Sequence, residues 1–183
     1  MFFLEDDDNG RGDLWNSWRD RNAFTPTGAR GALLRELPRN GIVTALASMY
    51  AEAARNRGWL VLDRALTRDE YTELCAATAR FTDRDRTFSE AIDAFGEPSV
   101  LFGGSNPFYG KTLAYATADA TDPMVVFHFW NGADPEAAQN WPPKYPEPIL
   151  LAIRCGTGSF PATFSFTPEG RRMRPVDPEE NDE

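Results

Sequence analysis

The chain has little of what reactive centres are commonly built from. It carries one histidine, His128, and two cysteines, Cys75 and Cys155, with no C-x-x-C or Cys/His spacing. A single imidazole without companions does not make a zinc or iron site, because such sites draw several nitrogen or sulfur ligands. An oxygen-only site would have to use Asp119, Asp122 or Asp134, which sit where turns are expected. No metal and no cofactor are therefore expected. Long apolar runs are missing as well. The stretch 124–130 is among the longest and includes His128, far short of the roughly 18 residues a membrane helix needs. Residues 1–4 are apolar but acids follow at 5–8, whereas a secretory leader has a basic start and a longer apolar segment. The expected compartment is the cytoplasm, where both cysteines read as small buried apolar side chains.

Basic charge is scarce too. The 28 acids outnumber the 19 Lys and Arg, for a net charge of −9, and only Lys111 and Lys144 are lysines. Four acids fall in residues 1–8 and five in 177–183, with no base in either stretch. The body between them is formally neutral, with 19 acids against 19 bases. Charge-dense ends of this kind are solvated, so neither a nucleic-acid partner nor a membrane surface is expected.

What the chain does have is aromatic and aliphatic bulk. Thirteen Phe and five Trp in 183 residues, with 42% hydrophobic residues overall, suffice for one core. The expected organisation is an N-terminal extension over 1–40, suited to docking, a single α+β domain over 41–176, and a disordered acidic tail over 177–183. In the extension, Trp15 and Trp18 can share one helical turn and 29–37 has helical propensity. From Thr44, an expected N-cap, Leu46, Met49, Tyr50 and Ala53 recur at helical spacing up to Gly58. The tract 59–62 reads as a short strand or buried connector. Thr67-x-x-Glu70 and Thr87-x-x-Glu90 are capping boxes that predict helices over 67–81 and 87–95, the second stopped by Gly96. Beyond Pro98 the period changes to two, with strands expected at 99–102, 111–118, 124–130, 149–155 and 161–167. The resulting fold class is α+β: about three helices packed on one face of a four- to five-stranded antiparallel meander.

Strand alternation puts Val126, His128 and Trp130 on one face and Val125, Phe127 and Phe129 on the other. His128 is the one candidate acid/base, with Tyr109 or Tyr115 as helper, but no nucleophile pattern accompanies it and a sheet-face histidine is the commoner case. Gly103-Gly104 resembles a phosphate cradle only in letters, since a strand rather than a helix follows. In a meander alternate connections share one end, so the 103–110 and 131–148 loops should be neighbours. The second is long and holds five prolines with Trp141 and Tyr145; the first holds Phe108 and Tyr109. Stiff, aromatic loops of that kind suit protein recognition. Phe108, Tyr109, Trp130, Trp141 and Tyr145 are the expected partner-binding residues.

The helix that ends in Phe95-Gly96-Glu97-Pro98-Ser99 before an antiparallel sheet resembles small cytoplasmic immunity proteins of bacterial toxin systems. That resemblance implies a compact, acidic, non-enzymatic α+β protein that neutralises another protein, such as a toxin. Two alternatives stand beside it: a small enzyme using His128, and an assembly subunit that docks on a larger complex through residues 1–40.

Overall fold

The computed structural model describes residues 8–39, 42–104, 106, 109–132 and 143–175, with side chains from Leu14 onward. The element order is α1 (Asp8–Asp20), α2 (Ala29–Glu36), α3 (Ile42–Asn56), α4 (Arg68–Phe81), α5 (Phe88–Phe95), β1 (Val100–Phe102), β2 (Thr112–Tyr115), β3 (Val125–Trp130), β4 (Ile149–Arg154), β5 (Phe164–Phe166) and α6 (Pro168–Met173). Both capping boxes form. The Thr67 hydroxyl accepts from the Glu70 amide at 3.2 Å while the Glu70 carboxylate accepts from the Thr67 amide at 2.7 Å, and Thr87 and Glu90 repeat the exchange at 3.3 and 2.8 Å. Gly96, at φ +72°, then closes α5.

Six helices are present among the described residues where about three were expected. The additional ones have weak or compact signals. Gly28 precedes α2 and contributes no side-chain cap. The six residues of α6 start from Thr167, whose hydroxyl accepts from the Gly170 amide at 3.1 Å, with Pro168 in the first turn. Thr44, expected as an N-cap, lies inside α3 instead and shares a 2.9 Å hydroxyl contact with Thr112. Residues 161–163 form a 3-10 turn rather than the start of β5, which shortens that strand to three residues.

The sheet is a five-stranded antiparallel meander, β1-β2-β3-β4-β5. Helices cover both of its faces, not one. Leu113, Tyr115, Val125, Phe127, Phe129, Leu150 and Ile153 meet α4 and α5 in one apolar cluster. There the Phe127 ring stands edge-on to Phe95 and to Tyr115, each at 5.3 Å. On the opposite face Trp130, Ile149, Leu151 and Ala152 pack with Leu14, Trp18, Leu33, Ile42 and Met49 from α1, α2 and α3. The described part of residues 1–40 thus shares a core with the sheet. Two covered faces explain why every residue of β2, β3 and β4 is buried, since such strands are apolar on both sides. A bulge opposite His128 and Phe129 lets Leu151 and Ala152 face the same way.

The second face also holds charge. Arg154, 2% exposed, pairs with Glu52 of α3 at 2.9 Å, and Glu52 lies 3.8 Å from Arg21. Arg55, at the end of α3, donates to the Thr117 and Asp122 carbonyls at 2.9 and 2.6 Å and to the Asp119 carbonyl. One guanidinium therefore fixes the helix end to the β2–β3 turn.

Candidate functional site

The meander brings the two expected loops to one end of the sheet. Gly110 lies so close to the Phe129 carbonyl oxygen and the Trp130 Cα that an added Cβ would sit 2.8 and 3.2 Å from them. The longer loop is pinned at its base by a reciprocal pair: the Asn131 side chain donates to the Tyr145 carbonyl at 2.9 Å and accepts from the Tyr145 amide at 3.0 Å. Lys111 donates to the Gly104 and Asn106 carbonyls at 2.6 and 2.9 Å, tying down the shorter loop.

The individual site residues separate from one another. Tyr109 is 48% exposed. Trp130 is buried and packs edge-on to Tyr145, with ring centroids 6.2 Å apart. Tyr145 turns its hydroxyl inward and donates to Glu169 at 2.6 Å. Phe108 and Trp141 lie outside the described residues. His128 is 3% exposed and stacks on Phe164 at 5.7 Å. Neither of its ring nitrogens has a hydrogen-bond partner among the described residues, and burial, with a smaller push from Arg154, lowers its pKa to about 3. Its imidazole is neutral at any ordinary pH and has no group among the described residues with which to exchange a proton. Tyr115 is buried too, its hydroxyl donating to the Gly96 carbonyl at 2.9 Å.

The edge strands differ. Along β5, α6 lies so close to β4 that a Cβ on Gly170 would meet the Leu151 carbonyl oxygen at 1.9 Å. Glu169, 2% exposed, lies in the first turn of that helix. It accepts from Tyr145, pairs with Lys144 at 3.2 Å and with Arg172, and its amide donates to Asp85 at 2.7 Å. Burial alone would raise the Glu169 pKa; the hydrogen bonds and the two cations outweigh it and hold the carboxyl below its ordinary range. Arg174 crosses the Phe166 ring at 5.1 Å and pairs with buried Glu36 at 2.8 Å. α6 thus covers β4 where β5 ends, and charges lie over β5 itself.

At β1 the edge is apolar and open. The connector 59–63 runs beside it, held by the Asp63 amide donating to the Ser99 carbonyl at 2.9 Å. Leu60 and Leu62 pack inward with Val100 and Phe102, which leaves the alternate residues outside. Val61 is 87% exposed, Trp59 54% and Leu101 45%. With Tyr109 in the loop that leaves β1, these are four of the five exposed large hydrophobics among the described residues; Val43 is the fifth. Sequence reading missed Trp59 and Val61, because W-L-V-L looks equally apolar at every position and nothing in it says which alternate pair faces out.

Next to this edge a groove of about 450 Å³ runs between Leu101, Leu113 and Pro98 on one side and Phe88 and Ile92 of α5 on the other. Arg64 stands at its rim, donating to the Glu97 carbonyl at 3.1 Å and pairing with Glu70. A second cavity, of about 400 Å³, lies between α1 and α3, walled by Trp15, Trp18, Phe24 and Tyr50. No group of three or more His, Cys, Asp or Glu side chains that could hold a metal occurs among the described residues. No helix among them is long and apolar enough to cross a membrane. No family model matches the chain, and neither does any curated protein or solved structure.

Proposed function

We propose that the protein is a non-enzymatic protein-binding module of the inhibitor or immunity kind. Its contact surface is the β1 edge with the 103–110 and 131–148 loops beside it. The observation that carries this reading is the exposure of Trp59, Val61, Leu101 and Tyr109 on and around β1, four of the five exposed large hydrophobics among the described residues. Exposed aromatic and aliphatic groups gathered at one place, next to an apolar groove, are what partner surfaces are made of. Phe108 and Trp141 belong to the same two loops and extend that surface in this reading. The acidic stretches at 1–8 and 177–183 favour a basic partner and speed its approach. The acid/base alternative draws no support from His128, whose ring is buried, neutral and unpartnered among the described residues.

The test is affinity capture with three baits: the wild-type chain, Trp59→Ala with Tyr109→Ala, and His128→Asn. The expected result is one partner held by the wild type and by His128→Asn, with binding weakened at least about 30-fold, or 2 kcal/mol, in the surface variant. Loss of function in His128→Asn with the fold intact would reject the binding reading in favour of an enzyme. A second reading, an assembly subunit docking through residues 1–40, draws on the aromatic cavity between α1 and α3. It predicts that Trp15→Ala, not Trp59→Ala, releases the partner.

A further inference from the structure

Cys75 and Cys155 stand far apart in the chain and meet in the fold. Cys75 is in the middle of α4, and Cys155 directly follows the last residue of β4. Both are free thiols and both are partly exposed, with their sulfurs 3.6 Å apart. A disulfide has its sulfurs about 2.05 Å apart, so closing the bond asks the two sulfurs to approach by roughly a further 1.5 Å. Tyr71 packs in the same cluster, its ring fixed by donation to the Pro123 carbonyl at 2.8 Å.

We propose that Cys75 and Cys155 are a reversible dithiol switch, oxidised by a hydroperoxide to an intrachain disulfide that staples α4 to the end of β4. The chemistry balances in two steps. The Cys75 thiolate attacks a peroxide oxygen, the O–O bond breaks, and the sulfenic acid forms as the displaced oxygen leaves as water or an alcohol. Cys155 then gives up its proton and attacks the Cys75 sulfur; the S–O bond breaks, the S–S bond forms, and the second oxygen leaves as water. Two electrons pass from the thiols to the peroxide. Burial pushes the Cys155 thiol up to about 12, so Cys155 is written as the resolving thiol. Once the sulfenic acid is made, the neighbouring sulfur is already in place, so ring closure outruns further oxidation. In a reducing compartment such a bond is transient, formed on exposure to oxidant and removed by thiol exchange.

Bridging positions that lie 80 apart removes much of the freedom of the unfolded chain, so the oxidised form should be the more stable one. The full chain, treated with hydrogen peroxide and quenched with a maleimide, should lose the mass of two hydrogens and migrate faster without reductant. It should yield one Cys75–Cys155 linked peptide and melt at a higher temperature, and dithiothreitol should reverse every change. Cys75→Ser and Cys155→Ser should each abolish the fast form. Sulfinic acids on separate cysteines, or only intermolecular dimers, would overturn the proposal. An oxidant-free arm uses phenylarsine oxide, which bridges two thiols. One tightly held arsenical per wild-type chain is expected; weak binding by single thiols would also overturn the proposal, whether or not the serine variants fold.

Discussion

Where β5 ends, α6 takes over its place beside β4, with buried Glu169 in its first turn tied to Tyr145, Lys144 and Arg172. At β1 the sheet ends beside a connector whose Asp63 amide donates to the Ser99 carbonyl and which shows Trp59 and Val61 to solvent. Unpaired sheet edges invite association, and proteins ordinarily blunt them with charge or a covering element. Here one edge receives that treatment and the other is left apolar. The difference separates two kinds of residue: those whose loss should unfold the protein and those whose loss should leave it folded but unable to bind.

The largest loss of stability is expected from Glu52→Ala. It strands Arg154, which is 2% exposed and whose Nε and Nη2 already lack partners among the described residues. A loss of about 3–5 kcal/mol is expected in urea unfolding. Converting Glu52 and Arg154 together to Leu and Met should recover most of it, because well-packed apolar groups replace a buried ion pair at little cost. Gly170→Ala should cost about 2–3 kcal/mol, since its Cβ would meet backbone and not a movable side chain.

His128 sharpens the comparison through pH. Its folded pKa, about 3, lies below the 6.5 of the free side chain, so the unfolded chain takes up a proton that the folded one refuses. Its contribution is steady above pH 6.5, and stability falls as the pH drops from 6.5 towards 3 by about 1.4 kcal/mol per unit. His128→Phe should remove that slope from urea midpoints measured between pH 7 and 5. Tyr145→Phe should cost about 1–2 kcal/mol by withdrawing a donor from buried Glu169. At the open edge, Trp59→Ala and Val61→Ser should change stability by less than about 0.5 kcal/mol.

Much of the fold was legible because its signals are local. Thr67 with Glu70 and Thr87 with Glu90 announce α4 and α5 within four residues each. The alternation of 125–130 assigns both faces of β3, and the short connections impose the meander. The charged interior was not legible: Glu52 and Arg154, Arg55 and the 117–122 turn, and Tyr145 with Glu169 are partners only once the chain has folded. The same holds for Cys75 and Cys155, read as two separate apolar residues. Thr167-Pro168-Glu169 did carry a helix start for α6, hidden by the strand that runs into it. Of the candidate site, the loop end was readable from connectivity. Which side chains face out there was not, because outward and inward positions in 59–62 are equally apolar.

The most direct measurement places a photo-crosslinking amino acid at Val61 and, in a second variant, at Arg172, which is exposed on α6. Both proteins would be irradiated with the captured partner. The account predicts an efficient crosslink from position 61 and none from 172. A crosslink from 172 alone would contradict it and move the contact surface to the other side of the sheet.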